Sequence, residues 1–179
     1  MKLIRSFPRE MPTGNPGGFN HVVDDAERMV NWNYDYSGLL AYQDDIVQID
    51  WDTAVSREDL ITFAERAKLA PESVLVAPMP IYPDNRPGLT KPHWNCCRRI
   101  NPVTPDLLRE VDGTDSECDL FGFGMIYLPL KMIQGFALTT RFFSDRGFAE
   151  WHNQQYGPAK LIWDIHPIHL HYQISQVQL

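Results

Sequence analysis

"IVQIDWDTAVS", residues 46–56, is apolar up to Ile49 and then sets two carboxylates, Asp50 and Asp52, around Trp51. On an extended backbone Val47, Ile49 and Trp51 share one face, while Ile46, Gln48, Asp50 and Asp52 share the other. The next stretch, "SREDLITFAERAKLA", carries the clearest helix signal in the chain. Ser56 is placed to cap it with Asp59 three residues on, and Leu60, Ile61, Ala64 and Ala67 recur at helical spacing. "SVLVAPMPIYP" then reads as a second strand. A strand, a helix and a strand joined by a crossover of this length predict a parallel pair, and with it an α/β fold whose central sheet is mostly parallel.

Outward from this unit, "KLIRSF" (2–7) predicts a first strand, followed by the Pro, Gly and Asn loop "PREMPTGNPGGFN". Residues 23–42 have helical stretches interrupted by Gly38 and an Asn/Tyr run, which predicts one broken helix or two short ones. Downstream, the pattern predicts a short helix around Asp106 to Val111, a strand near "FGFGMIYLP", a helical turn from Leu130 and a helix from about Asp145 to Gln155. "AKLIWDIHPIHLHYQI" closes the chain as a strand interrupted by Pro167. With 179 residues, 44% of them hydrophobic, residues 1–179 are expected to form a single domain around one sizeable core.

Sixteen basic against 23 acidic residues, a net charge of -7, exclude a dedicated nucleic-acid surface, which needs clustered Lys and Arg. Three cysteines, two of them adjacent (Cys96, Cys97, Cys118), argue against a secreted disulfide framework. The N-terminal apolar stretch is too short for a signal peptide or a membrane span, so a cytoplasmic protein with no transmembrane segment is expected. Adjacent thiols in "HWNCCRR" lack zinc-finger spacing, while Arg98 and Arg99 are candidate phosphate contacts. "FGFGM" allows close backbone approach of a ligand but does not open a helix, which excludes a dinucleotide fingerprint.

Side by side on one strand face, Asp50 and Asp52 repel each other unless solvated or neutralised, and a divalent cation resolves that conflict. Hard carboxylate oxygens suit magnesium or manganese. Near the C-terminus "HPIHLHY" holds His166, His169 and His171, three of the chain's six histidines, with His169 and His171 on one face of an extended backbone. Two aspartates plus such an imidazole form a mixed oxygen and nitrogen site that manganese accepts. In "FFSDRGFAEWH", Asp145 and Glu150 are candidate general bases. Phe148 and Trp151 could wall a carboxyl and raise its pKa, whereas a helix N-terminus at Asp145 would favour the ionised form. Each pattern also has a plain structural reading, as strand-end acids, a packed histidine or a helix cap.

The order of these pieces, a strand ending in D-x-D, a glycine-bearing segment with Gly122 and Gly124, Asp145 opening a helix, and a late strand with His169 and His171, resembles the nucleotide-sugar glycosyltransferases of GT-A fold. "SDRGFAEWH" followed by "IHPIHLHY" is similar to the C-terminal pattern of small bacterial and phage-type members, and the likeness spans roughly residues 44–172. The resemblance implies a metal-dependent glycosyltransferase moving a sugar from a nucleotide-sugar donor to a carbohydrate or protein hydroxyl. Asp50 and Asp52 with His169 or His171 would hold Mn2+ or Mg2+. Asp50 and Asp52, with Arg98 and Arg99, would meet the donor, and Asp145 would deprotonate the acceptor in an inverting displacement. Only 49 residues precede Asp50, fewer than this fold normally spends on nucleotide binding. The loop "PTGNPGGFN" with Trp32, Tyr34 and Tyr36 is one candidate replacement. A non-catalytic carbohydrate- or protein-binding scaffold, or a metal-dependent phosphate-ester hydrolase, uses the same residue types. Self-association into a homo-oligomer is left open.

Overall fold

The computed structural model describes residues 1–7, 27–30, 43–50, 53–81, 93–101, 107–139 and 145–169. In chain order the elements are β1 (Lys2–Phe7), β2 (Glu27–Val30), β3 (Ile46–Asp50), β4 (Thr53–Ala54), α1 (Arg57–Leu69), β5 (Leu75–Val76), β6 (Pro80–Ile81), β7 (His93–Trp94) and β8 (Cys96–Arg99). They continue with β9 (Leu108–Glu110), β10 (Glu117–Cys118), β11 (Leu120–Phe121), β12 (Met125–Leu128), α2 (Leu130–Ala137), α3 (Asp145–Tyr156), β13 (Ala159–Leu161) and β14 (Ile168–His169).

A seven-stranded sheet in the order β10-β13-β5-β12-β3-β1-β2 forms the centre. β1, β2, β3, β5 and β13 run one way, and β12 and β10 run against them. The strand, helix, strand unit read from the sequence exists, and β3 and β5 do share a direction. They are not partners, however: β12 lies between them and pairs antiparallel with both, so the sheet is mixed. The expectation of a mostly parallel sheet holds for strand direction but not for the pairings. The reason is topological, since a return strand enters the gap from some 50 residues downstream, as in Tyr127 opposite Leu75.

Alternation along the strands divides the core into two layers. Val47 and Ile49 of β3, Leu75 of β5 and Met125 and Tyr127 of β12 pack on one face with Phe63 and Ala67 of α1. Ile46, Val76, Ile126 and Leu128 face the other way, onto Met132, Ile133 and Phe136 of α2 and Phe148 and Ala149 of α3. Helices thus cover both faces, which is why β3 is buried on both sides from Ile46 to Ile49 and does not read as a half-exposed strand. α1 begins as its sequence predicts, with the Asp59 amide donating to Ser56 Oγ at 3.0 Å.

Two other expectations fail. Residues 27–30 are the strand β2, parallel to β1, where a broken helix is expected. Leu108–Glu110 form β9, antiparallel to β8, in place of a short helix. In both cases a neighbouring strand supplies backbone partners that local propensity does not foresee. Smaller ladders join β8 to β9 and β11, β6 to β7, and β14 to β4.

The amino end of β3 is fastened by Asp45. Its Oδ1 accepts the Leu130 amide at 2.8 Å, and its Oδ2 accepts the Tyr127 hydroxyl at 3.0 Å. α2 starts after Pro129, whose side chain cannot cap, so a carboxylate 85 residues away takes the first orphaned amide. Burial and the adjacent Asp45 carboxylate push the Tyr127 hydroxyl well above the usual tyrosine range, which keeps it a donor. Asp45→Ala is therefore expected to lower unfolding free energy by about 1–3 kcal/mol in urea denaturation, because the Leu130 amide loses its acceptor and the Tyr127 hydroxyl keeps only the Pro71 carbonyl, 3.3 Å away.

Candidate active site

In open α/β sheets ligands bind beyond the carboxyl ends of the strands, where successive connections leave in opposite directions. Here that point lies between β1 and β3. β2 flanks β1 on one side and β3 on the other, and Ser6 of β1 stands opposite Asp50 of β3. Asp50 is half-buried and lies on the same strand face as Ile46 and Gln48, the face covered by α2 and α3. Its Oδ1 lies 3.4 Å from Gln48 Nε2, and its amide donates to the Gly124 carbonyl at 3.0 Å.

The glycine segment is drawn to this edge because β12 is antiparallel to β3, with Met125 opposite Ile49. At Gly124 a Cβ would stand 2.4 Å from Met79 Cε, so only a glycine leaves Met79 where it is. Met79 in turn receives the Thr53 hydroxyl at its sulfur, 3.6 Å away, and its amide donates to Asn95 Oδ1 at 2.8 Å. Asn95 is 8% exposed and braces the edge: its amide donates to the Met79 carbonyl at 3.0 Å, and its carbonyl accepts the Gly122 amide at 2.7 Å. A Cβ at Gly122 would then lie 3.5 Å from Asp145 Oδ2. Met79, Asn95 and Gly122 are thus linked by hydrogen bonds, Asp50 is bonded to Gly124 beside Met79, and Asp145 stands next to Gly122.

The late histidine arrives by a separate ladder. β14 pairs antiparallel with β4, placing His169 opposite Thr53 and Ile168 opposite Ala54. Residues directly opposite in an antiparallel pair project to the same side, so the half-buried His169 shares a face with the buried Thr53, one residue beyond Asp52. Asp52 and His171 lie outside the described residues, as do Trp32, Tyr34, Tyr36 and the loop "PTGNPGGFN". Among the described residues no three His, Cys, Asp or Glu side chains are grouped to hold a metal ion.

Asp145 is the exposed first residue of α3, and its Oδ1 accepts the Arg146 amide at 2.6 Å. Glu150 lies one turn on and is paired with Arg146 Nε at 2.9 Å, an i,i+4 surface pair. Phe148 and Trp151 do not wall a carboxyl. They pack on Phe136, with ring centroids 5.4 Å and 5.2 Å from its ring, as part of the core beneath α3. Arg98 and Arg99, expected at phosphate, are tied to protein partners. Arg98 lies 3.5 Å from Asp119 and 3.7 Å from Glu117, while Arg99 donates from its amide to Asp119 at 2.8 Å and from its guanidinium to Asn153 at 3.2 Å. Asn153 closes the loop by donating to Asp119 at 2.8 Å, so Arg99 joins the β8 sheet to α3 while Arg98 ties it to Glu117 and Asp119.

Beside Asp145 opens a cleft of about 300 Å³, lined by Trp94, Asn95, Leu108, Leu120, Phe121 and Gly122 among others. The sequence reading passed over Asn95, Met79 and Thr53, which carry no local signal. Asn95 lies next to the quoted cysteines, and its importance comes from partners 16 and 27 residues away.

No protein-family model matches the chain, and no curated protein matches it in sequence. Among solved structures it is similar to A197 from STIV, with 13% identity and a TM-score of 0.56 over 96% of this chain and 87% of that one. At that identity the likeness shows a shared fold and carries no chemistry. It is also similar to a putative glucose-1-phosphate thymidylyltransferase from Bacillus anthracis in complex with a sucrose, with 12% identity and a TM-score of 0.44 over 78% of this chain. The chain spans 56% of that protein, and so remote a superposition supports no argument. No helix among the described residues is long and apolar enough to cross a membrane.

His152, two turns after Asp145, is 3% exposed among Phe121, Phe148 and Tyr156, and burial lowers its pKa to about 4. The unfolded chain takes up a proton near pH 6.5 that the folded one refuses until about 4. Stability from this group is full above pH 6.5 and is lost as pH falls toward 4, by on the order of 3 kcal/mol. Urea midpoints measured at pH 7 and pH 4.5 should therefore fall further apart in the parent protein than in His152→Leu.

Proposed function

We propose that the protein is a metal-dependent glycosyltransferase that moves a sugar from a nucleoside-diphosphate donor to an acceptor hydroxyl. The observation that carries this reading is the register of β14 on β4. It sets His169 opposite Thr53, the residue that follows Asp52 in the chain. The glycine segment meanwhile has Asp50 bonded to Gly124 and the start of α3, Asp145, next to Gly122.

The donor set fits a hard divalent cation. Two carboxylates separated by one residue supply oxygen ligands, the imidazole of His169 or His171 supplies nitrogen, and manganese accepts such a mixture while magnesium prefers the oxygens. When bound, the ion offsets the negative charge that builds on the departing diphosphate. Asp50, at the β1/β3 crevice, would orient the donor together with Asp52. Asp145 accepts the acceptor proton from the far side of Gly122. The acceptor oxygen bonds to the anomeric carbon as the bond from that carbon to the diphosphate breaks, with inversion. Glu150, paired with Arg146, holds that arginine across the first turn of α3 and leaves the base role to Asp145. Arg99 braces α3 and Arg98 is held by Glu117 and Asp119, so in this reading the positive charge at the diphosphate would come from the cation that Asp50, Asp52 and His169 or His171 would hold.

Manganese with uridine or guanosine diphosphate at about 100 times its dissociation constant should stabilise the fold by about 2.7 kcal/mol, a melting shift of about 5–10 °C. Asp52→Ala should abolish the manganese-dependent part, and an unchanged shift would place the metal elsewhere. Once a donor and acceptor pair is found, Asp145→Asn should lower kcat by about 10²–10⁴-fold with little change in donor KM.

A further inference from the structure

The cleft beside Asp145 has a composition that the transfer reaction alone does not require. Its apolar wall is built from Ile81, Trp94, Leu108, Leu120 and Phe121 with the thiols of Cys96 and Cys97, and the charged lining is Asp145 and Arg146, the latter paired with Glu150. Asn95 also lines it, but its amide oxygen takes the Met79 amide and its amide nitrogen the Gly122 carbonyl, so this polar side chain is spent on holding the wall. The backbone of the same wall is likewise engaged, Gly122 with Asn95 and Asn95 with Met79. Hydroxyls carried deep into the cleft would give up water without gaining partners from these groups. An alkyl or aromatic group gains from burial there instead.

Two of the lining side chains are also open to solvent, Ile81 being 36% exposed and Leu108 39% exposed. A volume of about 300 Å³ is at the small end for ligand clefts, room for one ring or a short chain.

The geometry points to an acceptor made of an apolar body bearing the reactive hydroxyl. The body lies along Trp94, Leu108, Leu120 and Phe121, and the hydroxyl reaches Asp145. This rests on the transferase reading for the role of Asp145, but the binding half stands without nucleotide or metal. The acceptor class is then an alkyl- or aryl-substituted alcohol or glycoside, with a bare sugar a poor substitute.

Octyl β-glucoside, kept below its micellar concentration, is the probe, and methyl β-glucoside is the control with the same sugar head. Titration followed by tryptophan fluorescence, without nucleotide or metal, should show the octyl compound binding about tenfold or more tightly, from burial of a few methylenes. Leu108→Asp, an exposed strand position that tolerates a charge, should remove most of that preference. Leu138→Asp, at a leucine 89% exposed beyond α2, should leave it intact. Equal binding of the two glucosides, or equal effects of the two substitutions, would overturn the proposal. Octyl preference with no manganese and nucleotide melting shift would retain the apolar site and overturn the acceptor role, which separates this failure from that of the transferase reading.

Discussion

The hydrogen bonding of β12 between β3 and β5 is the constraint on which the rest of the structure depends. Two strands of like direction, joined by α1, would pair with each other if nothing intervened. The reversed strand enters instead and satisfies the facing backbone groups of both, with Ile126 opposite Gln48 on one side and Val76 on the other. Its reversal matters as much as its position. An antiparallel strand begins where its neighbours end, so the residues just before β12, Gly122 to Gly124, are delivered to the carboxyl edge of the sheet. The amide of Asp50 then meets the carbonyl of Gly124, and the glycine segment becomes the floor between Asp50 and the start of α3.

β3 has acids at both ends, and they serve opposite purposes. At the amino end Asp45 is saturated by protein donors, the first amide of α2 and a tyrosine hydroxyl raised in pKa by burial and by that carboxylate. Its charge is consumed in fixing β3, β12 and α2 together. At the carboxyl end Asp50 is half-buried beside the crevice between β1 and β3. The same residue type is structural where helix dipole and hydroxyl converge on it, and is a ligand candidate where the sheet opens.

Polar groups that might have served a ligand are in part used to hold the scaffold. Arg98 is drawn to Asp119 and Glu117, Arg99 joins the β8 sheet to α3 through Asn153, and Asn95 spends both ends of its amide on neighbouring backbone. The cleft next to Asp145 is left with an apolar wall as a result. Beneath α3, Phe148 and Trp151 pack with Phe136, so the helix that presents Asp145 is anchored by aromatic packing on one side and by the arginine network on the other.

Local signals determined the α/β class, α1 with its Ser56 cap, α3 from Asp145, and the choice of Asp50, Asp145 and His169 as residues to watch, because capping, periodicity and chemical type are written in short windows. β2 and β9 were misread as helical because a strand's stability lies in a partner that the window does not contain. The same limit hid Asn95 and Met79, and it hid the protein partners of Arg98 and Arg99, which are Glu117 on β10, Asp119 just after it and Asn153 on α3. Tertiary structure alone decided that β12 separates β3 from β5, that the two glycines sit between Asp50 and Asp145, and that His169 stands opposite Thr53. Each of these is a pairing across many residues, set by which buried backbone groups can satisfy one another and not by the preferences of any single segment.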